Sequence, residues 1–243
     1  MLLRLADDHV VLGHRLSEWC GHAPMLEEDL ALPNIALDLI GQARGLYTYA
    51  GEVEGAGRDE DALAYFRTDR EFSNCLLVER PNGDFGQTML KIFYFAAFME
   101  PWWRGACGSS DATVAGIAGK AVKESAYHLR HSAEWVIRLG DGTDESARRM
   151  ARAVAVLHPY TGELFEVDPL ATALAEAETI PDPAALRADW DRTVGEVFDQ
   201  AMLEIPEVAY PRTGGRSGLH GEELGHMLAQ MQVLQRTYPG VSW

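Results

Sequence analysis

The chain has 243 residues, 47% of them hydrophobic, and a formal charge of −16 from 37 acids and 21 bases. That length admits one large domain or two small ones, and the apolar fraction supports a sizeable core. The acidic balance disfavours nucleic acid as a partner, because phosphate binding needs basic surface; it fits plain solvation better than a dedicated basic partner.

Three cysteines, Cys20, Cys75 and Cys107, match neither a zinc site nor a redox pair. The expectation is reduced, mostly buried thiols in a cytoplasmic protein. The N-terminus turns acidic at Asp7-Asp8 without a signal-peptide apolar region, and no apolar run approaches the roughly 20 residues that span a bilayer, so no membrane partner is expected.

Apolar positions from Leu2 to Trp19 recur at helical spacing, and Gly21 and Pro24 close that helix. A second helix runs from about Met25 to Ala50. Its segment Ile35-Ala36-Leu37-Asp38-Leu39-Ile40 is apolar on every side but one, which predicts burial all round and a buried Asp38 carboxylate. Pro33 either kinks this helix or sets its start. Gly51 to Asp59 reads as a loop, followed by short helices over Asp59–Phe66 and Thr68–Glu79, the latter with a Thr68/Glu71 capping box. Pro81-Asn82-Gly83-Asp84 is a turn.

The third long helix spans Phe85 to Cys107, with Lys91 as its one base near mid-span. The fourth follows Ser109-Ser110-Asp111 and ends at Leu139. Stepping by four and three along it aligns Ile117, Ala121, Glu124, His128, His131 and Trp135 on one face. Further helices are expected at Thr143–Tyr160, Asp168–Ala177, Pro183–Glu204 and Glu222–Tyr238. Between the last two lies a Gly- and Arg-rich loop, Arg212–His220, which lacks the Lys-Ser/Thr of a P-loop and reads as a segment docking on the bundle or on a partner. No period-2 strand pattern and no repeat is evident. The fold class is therefore all-α: a single domain over residues 1–243, with a ferritin-like four-helix bundle over about 2–140 and appended helices over about 143–243.

Ionisable groups inside such a bundle raise the question of a metal. A carboxylate-bridged di-iron bundle takes a Glu from each of two helices and Glu-x-x-His from each of the other two. Here the imidazole slot after Asp38 is Gly41, and the slot after Glu124 is Tyr127. His128 falls one residue late, rotated by about 100°. Lys91 could offset Asp38 or Glu124 by a salt bridge. Glu223-Leu224-Gly225-His226 is a Glu-x-x-His without a matching partner and reads as incidental; His131 reads as a partly buried surface histidine. The plainer account of Asp38, Glu124 and His128 is a satisfied polar network that fixes helix packing, not a ligand set. Trp102-Trp103 suggests core or interface.

Several strings carry a resemblance: E-W-C-G-H-A-P at Glu18–Pro24, L-D-L-I-G-Q-A-R at Leu37–Arg44 and F-S-N-C-L-L-V-E at Phe72–Glu79. K-E-S-A-Y-H-L-R at Lys123–Arg130, R-L-G-D-G-T at Arg138–Thr143, R-T-G-G-R-S-G-L-H at Arg212–His220 and M-L-A-Q-M-Q-V-L-Q-R at Met227–Arg236 extend it, and the terminal P-G-V-S-W completes it. The whole chain resembles the family of structural C subunits of the multicomponent phenylacetyl-CoA 1,2-epoxidases of aerobic phenylacetate degradation. The resemblance implies a ferritin-like fold and a scaffold subunit with no catalytic residue, metal or cofactor of its own. Asp38, Glu124 and His128 would then be remnants of a degenerate metal site. It further implies pairing with a catalytic A subunit that carries the di-iron centre and binds the acyl-CoA, and through it with a small B subunit and a flavin/iron–sulfur reductase. A homodimer in isolation is compatible with this. Two other classes remain open at this point: a self-sufficient di-iron oxidase or hydroxylase, and a stand-alone homo-oligomeric binding module.

Overall fold

The computed structural model describes residues 1–241. Among them the regular elements are helices, in the order α1 (Leu2–Ser17), α2 (Leu26–Glu54), α3 (Glu60–Tyr65), α4 (Leu76–Glu79), α5 (Phe85–Ala106), α6 (Ala112–Gly140), α7 (Asp144–Leu157), α8 (Pro169–Glu176), α9 (Arg187–Gln200) and α10 (Glu222–Thr237). Short 3-10 segments at Asp69–Glu71, His158–Phe165, Ala184–Leu186 and Gly215–Ser217 join some of these. The fold class is all-α, that of the ferritin-like helical bundles. The terminal segment Pro239–Trp243, part of the P-G-V-S-W string, lies only partly within the described residues.

The chain divides into two units. The first comprises Met1–Pro81 and the segment from Thr213 onward; the second is Asn82–Arg212. Each is organised around one pair of long helices, α1 with α2 and α5 with α6.

In the first unit α1 buries a continuous stretch from Leu5 to Gly13, polar residues included. Gly13 makes its contact with α2 possible: a Cβ there would stand 2.9 Å from Ile40 Cγ1 and 3.2 Å from the Ala36 carbonyl oxygen, so only a bare backbone fits. In α2, Glu27, Glu28 and Asp29 lie in the first turn, where carboxylates complement the positive end of the helix dipole. Pro33 lies inside this helix, which begins at Leu26 rather than at the proline. Gly55, in the left-handed conformation at φ 67°, closes it.

The helix expected over Thr68–Glu79 is broken. The Thr68/Glu71 capping box forms, but it serves a single 3-10 turn, after which Phe72 turns extended at ψ 147°. The reason lies on α1: Asp7 accepts the Ser73 amide at 2.8 Å and Asp8 the Cys75 amide at 2.7 Å. Buried carboxylates take the N–H groups that a helical ladder would have used.

In the second unit α5 is buried on every side from Thr88 to Met99, and α6, α7 and α9 pack on it. Asp84 caps α5 through the Gln87 amide at 2.9 Å, and Asp111 caps α6 through the Thr113 and Val114 amides. The residues of α6 that reach the core are Val114, Ala118, Ala121, Ser125, His128, Ser132, Val136 and Gly140. Mostly small, they let the two helices approach closely. Aromatic rings fill the remaining space: Tyr94 lies 5.5 Å from Trp190 and 6.0 Å from Phe198, and Phe165 lies 5.6 Å from Trp190. Trp102 and Trp103, an edge-to-face pair at 4.8 Å, are both buried. They are core residues, so they offer no exposed interface.

Candidate functional site

Asp38, Glu124 and His128 do not share one environment. The burial expected of Asp38 is not found: it is half-buried, and its neighbour Leu37 is 66% exposed. The apolar run around it has one open face because α2 buries only the side carrying Ile35, Ala36, Leu39 and Gln42. Glu124 is half-buried and lies 3.6 Å from Lys120 one turn earlier. His128 is buried, and its carbonyl accepts the Ser132 hydroxyl at 2.6 Å.

The face of α6 is also offset from the expected stripe. Ala121 and His128 belong to the buried line, whereas Ile117, Glu124, His131 and Trp135 lie on its half-buried shoulder. Bulkier side chains go to the shoulder because the line of closest helix approach admits only small ones. Tyr127, three residues after Glu124, is 37% exposed and stacks on His131 at 5.6 Å. Gly41, three residues after Asp38, offers no donor at all. The residues at these positions therefore do not fit the Glu-x-x-His ligand set of a di-iron bundle. Lys91 is fully buried in α5, with its ammonium donating to Asn82 Oδ1 at 3.1 Å. A buried ammonium is held by such acceptors because it cannot stand alone in a low-dielectric core.

The most developed polar cluster is elsewhere, in the first unit. Asp7 accepts from the Tyr47 hydroxyl at 2.5 Å, from Ser73 and from both terminal nitrogens of Arg67. Burial and the adjacent Asp7 charge push the Tyr47 phenol well above its ordinary range, so it remains a donor. The Arg67 guanidinium also stacks 4.3 Å from the centre of the Phe72 ring. Asp8 is bound by Arg216 at 2.9 Å. Burial pushes its carboxyl up from the usual range, and the Arg216 charge opposes that.

Arg216 belongs to the Arg212–His220 segment, and from Thr213 onward that segment docks on its own unit, one of the two roles expected of it. Arg216 also donates to the Ser73 carbonyl at 3.1 Å. His220 presents Nδ1 to Glu79 Oε2 at 2.7 Å and Nε2 to the Phe72 carbonyl at 2.9 Å. Both ring nitrogens thus meet an oxygen of the first unit. The Gly221 amide and the Asn74 side chain complete the cage around Glu79, at 2.7 and 3.0 Å. Gly218, at φ 74°, is the hinge of this loop; a Cβ there would stand 2.5 Å from the Arg70 carbonyl oxygen. Of the Glu223/His226 pair, Glu223 bridges to Arg80 at 3.1 Å while His226 is exposed. Glu223 is engaged by Arg80, and the two residues do not form part of a metal-binding group among the described residues.

Among the described residues, no three His, Cys, Asp or Glu side chains converge as a metal-binding group. Nor is any helix long and apolar enough to cross a membrane. Cys75 is buried, but Cys20 and Cys107 are exposed, contrary to the burial expected of them: both fall at helix ends, where the chain turns at the surface.

The clasp around Glu79 draws on the strings F-S-N-C-L-L-V-E and R-T-G-G-R-S-G-L-H. The family model described as phenylacetic acid catabolic protein matches residues 1–243. The chain belongs to that family. It is 49% identical over 241 residues to the C subunit of the 1,2-phenylacetyl-CoA epoxidase of Escherichia coli (strain K12), covering 99% of this chain and 97% of that protein. The signal that could have found the clasp from the sequence was the pair Asp7-Asp8 inside the apolar run Leu5–Leu12. Two adjacent acids in a core helix demand bases, and Arg67 and Arg216 supply them.

Proposed function

We propose that this chain is the non-catalytic scaffold subunit of a phenylacetyl-CoA 1,2-epoxidase complex, acting in the cytoplasm. In that complex it pairs with a di-iron catalytic subunit, and through it meets a small third subunit and a flavin/iron–sulfur reductase. The observation that carries this reading is identity across nearly the full length with a protein named as the C subunit of that epoxidase. The local chemistry supports the non-catalytic half. Gly41 and Tyr127 stand where a di-iron bundle needs imidazoles, Tyr127 is partly exposed, and the buried carboxylates Asp8 and Glu79 hold Arg216 and His220 of the C-terminal segment. Asp38, Glu124 and His128 in this account are retained for packing.

The test is reconstitution. The chain is co-expressed with the catalytic subunit, and turnover of phenylacetyl-CoA is measured with reductase, NADPH and dioxygen. The reading expects co-elution, no turnover by this chain alone, and turnover per assembled complex that persists when Glu124→Gln is introduced here. Turnover by the chain alone that vanishes in Glu124→Gln, with the fold intact, would establish the self-sufficient oxidase instead.

A further inference from the structure

The outer face of α2 carries a feature that neither the core nor the clasp uses. Leu26, Leu30 and Leu37 are 70%, 60% and 66% exposed. With half-buried Pro33 between them, they follow the spacing of four, three and four residues that defines a heptad seam. Met25 extends the patch at its start and is also exposed. Gly41, one turn beyond Leu37, has open space where a Cβ would be. The seam from Leu26 to Leu37 is about 17 Å long at 1.5 Å per residue. Scattered exposed leucines need no explanation, but an aligned row of them on one helix marks a contact surface.

Charge decides what covers it. From Leu26 to Gly41 the helix carries Glu27, Glu28, Asp29 and Asp38 and no Lys, Arg or His. Glu28 is buried; exposed Glu27, half-buried Asp29 and half-buried Asp38 flank the seam. A second copy would set the same acids against each other on a chain already at −16, and like charges across a helix seam repel. A helix whose apolar stripe is flanked by Lys and Arg complements it.

We infer that the Leu26–Leu30–Pro33–Leu37 seam of α2 is the docking surface for a basic-flanked amphipathic helix of the catalytic subunit. This rests on the scaffold reading above and adds the surface and the chemistry of its partner. The seam supplies knobs for holes on the partner helix, and the acidic flanks fix orientation and speed encounter.

The test uses the full chain co-expressed with the tagged catalytic subunit. Wild type is compared with Leu30→Glu/Leu37→Glu, with the milder Leu30→Gln/Leu37→Gln, and with Tyr210→Glu. Tyr210 is 82% exposed and lies outside α2, so it controls for the loss of any exposed apolar group. Each variant is first checked for wild-type helicity and melting. The inference expects the Glu pair to abolish co-elution, the Gln pair to weaken affinity at least tenfold, and Tyr210→Glu to match wild type. Glu27→Lys should slow association, most strongly at low salt. If the Glu pair fails to fold, the Gln pair decides. Undiminished co-elution of folded seam variants overturns the inference while leaving the scaffold reading standing. So does a wild-type homodimer that the seam variants convert to monomer without loss of catalytic-subunit binding, which would assign the seam to a second copy. If wild type itself does not co-elute, the scaffold reading fails, and the occupant inferred here fails with it.

Discussion

The hydroxyl of Tyr94 and Nδ1 of His158 share a hydrogen bond of 3.1 Å inside the aromatic core of the second unit. Burial holds the Tyr94 phenol well above its ordinary range, so it keeps its proton. Burial, helped by the Arg187 charge and opposed by that of Asp191, pulls the His158 ring below its ordinary value of 6.5. The bond is thus one between a neutral phenol and a neutral imidazole. The Trp190 indole donates to the Tyr94 carbonyl at 3.0 Å and holds the same spot of α5 against α9.

Acid should therefore loosen this core. The unfolded chain takes up the His158 proton near pH 6.5, whereas the folded chain resists it to lower pH. Stability from this ring is fully present above the unfolded value and declines as pH falls through 6.5 toward the folded one. His14 in the first unit is depressed in the same direction, chiefly by burial and against the pull of Glu18, and adds to the slope. Urea melts at pH 8 and at pH 5.5 check this: the midpoint should drop on acidification, and His158→Gln should flatten the drop. A midpoint independent of pH over that range would contradict it.

Tyr94→Phe should cost about 1–3 kcal/mol, because the imidazole nitrogen is left buried without its hydrogen-bond partner. The shape of the ring is kept, so little packing is lost. A thermal melt at pH 8 measures it, and a change within about 0.5 kcal/mol, the usual range for surface substitutions, would show that the bond contributes nothing.

The Arg67–Asp7 pair is almost wholly buried, with side chains 3% and 0% exposed. Removing one partner leaves an uncompensated charge in the core, so Arg67→Met should cost about 3–5 kcal/mol. Replacing both, as Asp7→Asn/Arg67→Met, should recover part of that loss. Denaturant melts of Arg67→Met, Asp7→Asn and the double variant form the cycle. Additive losses would mean that the two charges are not coupled.

The clasp makes a different prediction. Gly218→Ala meets both a positive φ and the Arg70 carbonyl, and the strain should cost about 1–3 kcal/mol. His220→Gln removes the ring that bridges Glu79 and the Phe72 carbonyl. In both variants hydrogen exchange should accelerate in the segment after Thr213 and not in α5 or α6. Uniform acceleration would show that the segment is not a local unit.

The helices were legible because their caps and periodicities are local: Asp84, Asp111 and Thr143 cap as their types suggest. The break after Glu71 was not, because it depends on Asp7 and Asp8, more than 60 residues away. Burial of Asp38 was misjudged by counting apolar neighbours along the helix. Leu37 shows why that fails: it is apolar yet faces outward, and an apolar run along a helix does not by itself say which side is covered. The clasp escaped notice since its pieces, Glu79 and His220, are separated by 141 positions. The missing imidazoles after Asp38 and Glu124, by contrast, are a property of spacing alone and could be read directly.

Those missing imidazoles make iron content the most direct measurement of the scaffold role. The purified chain is incubated anaerobically with excess ferrous ion, exposed to dioxygen, desalted, and assayed for bound iron and for absorption of an oxo-bridged pair. A scaffold predicts well under one iron per chain and no such absorption. Near-stoichiometric iron, two per chain with oxo-bridged absorption, would contradict it.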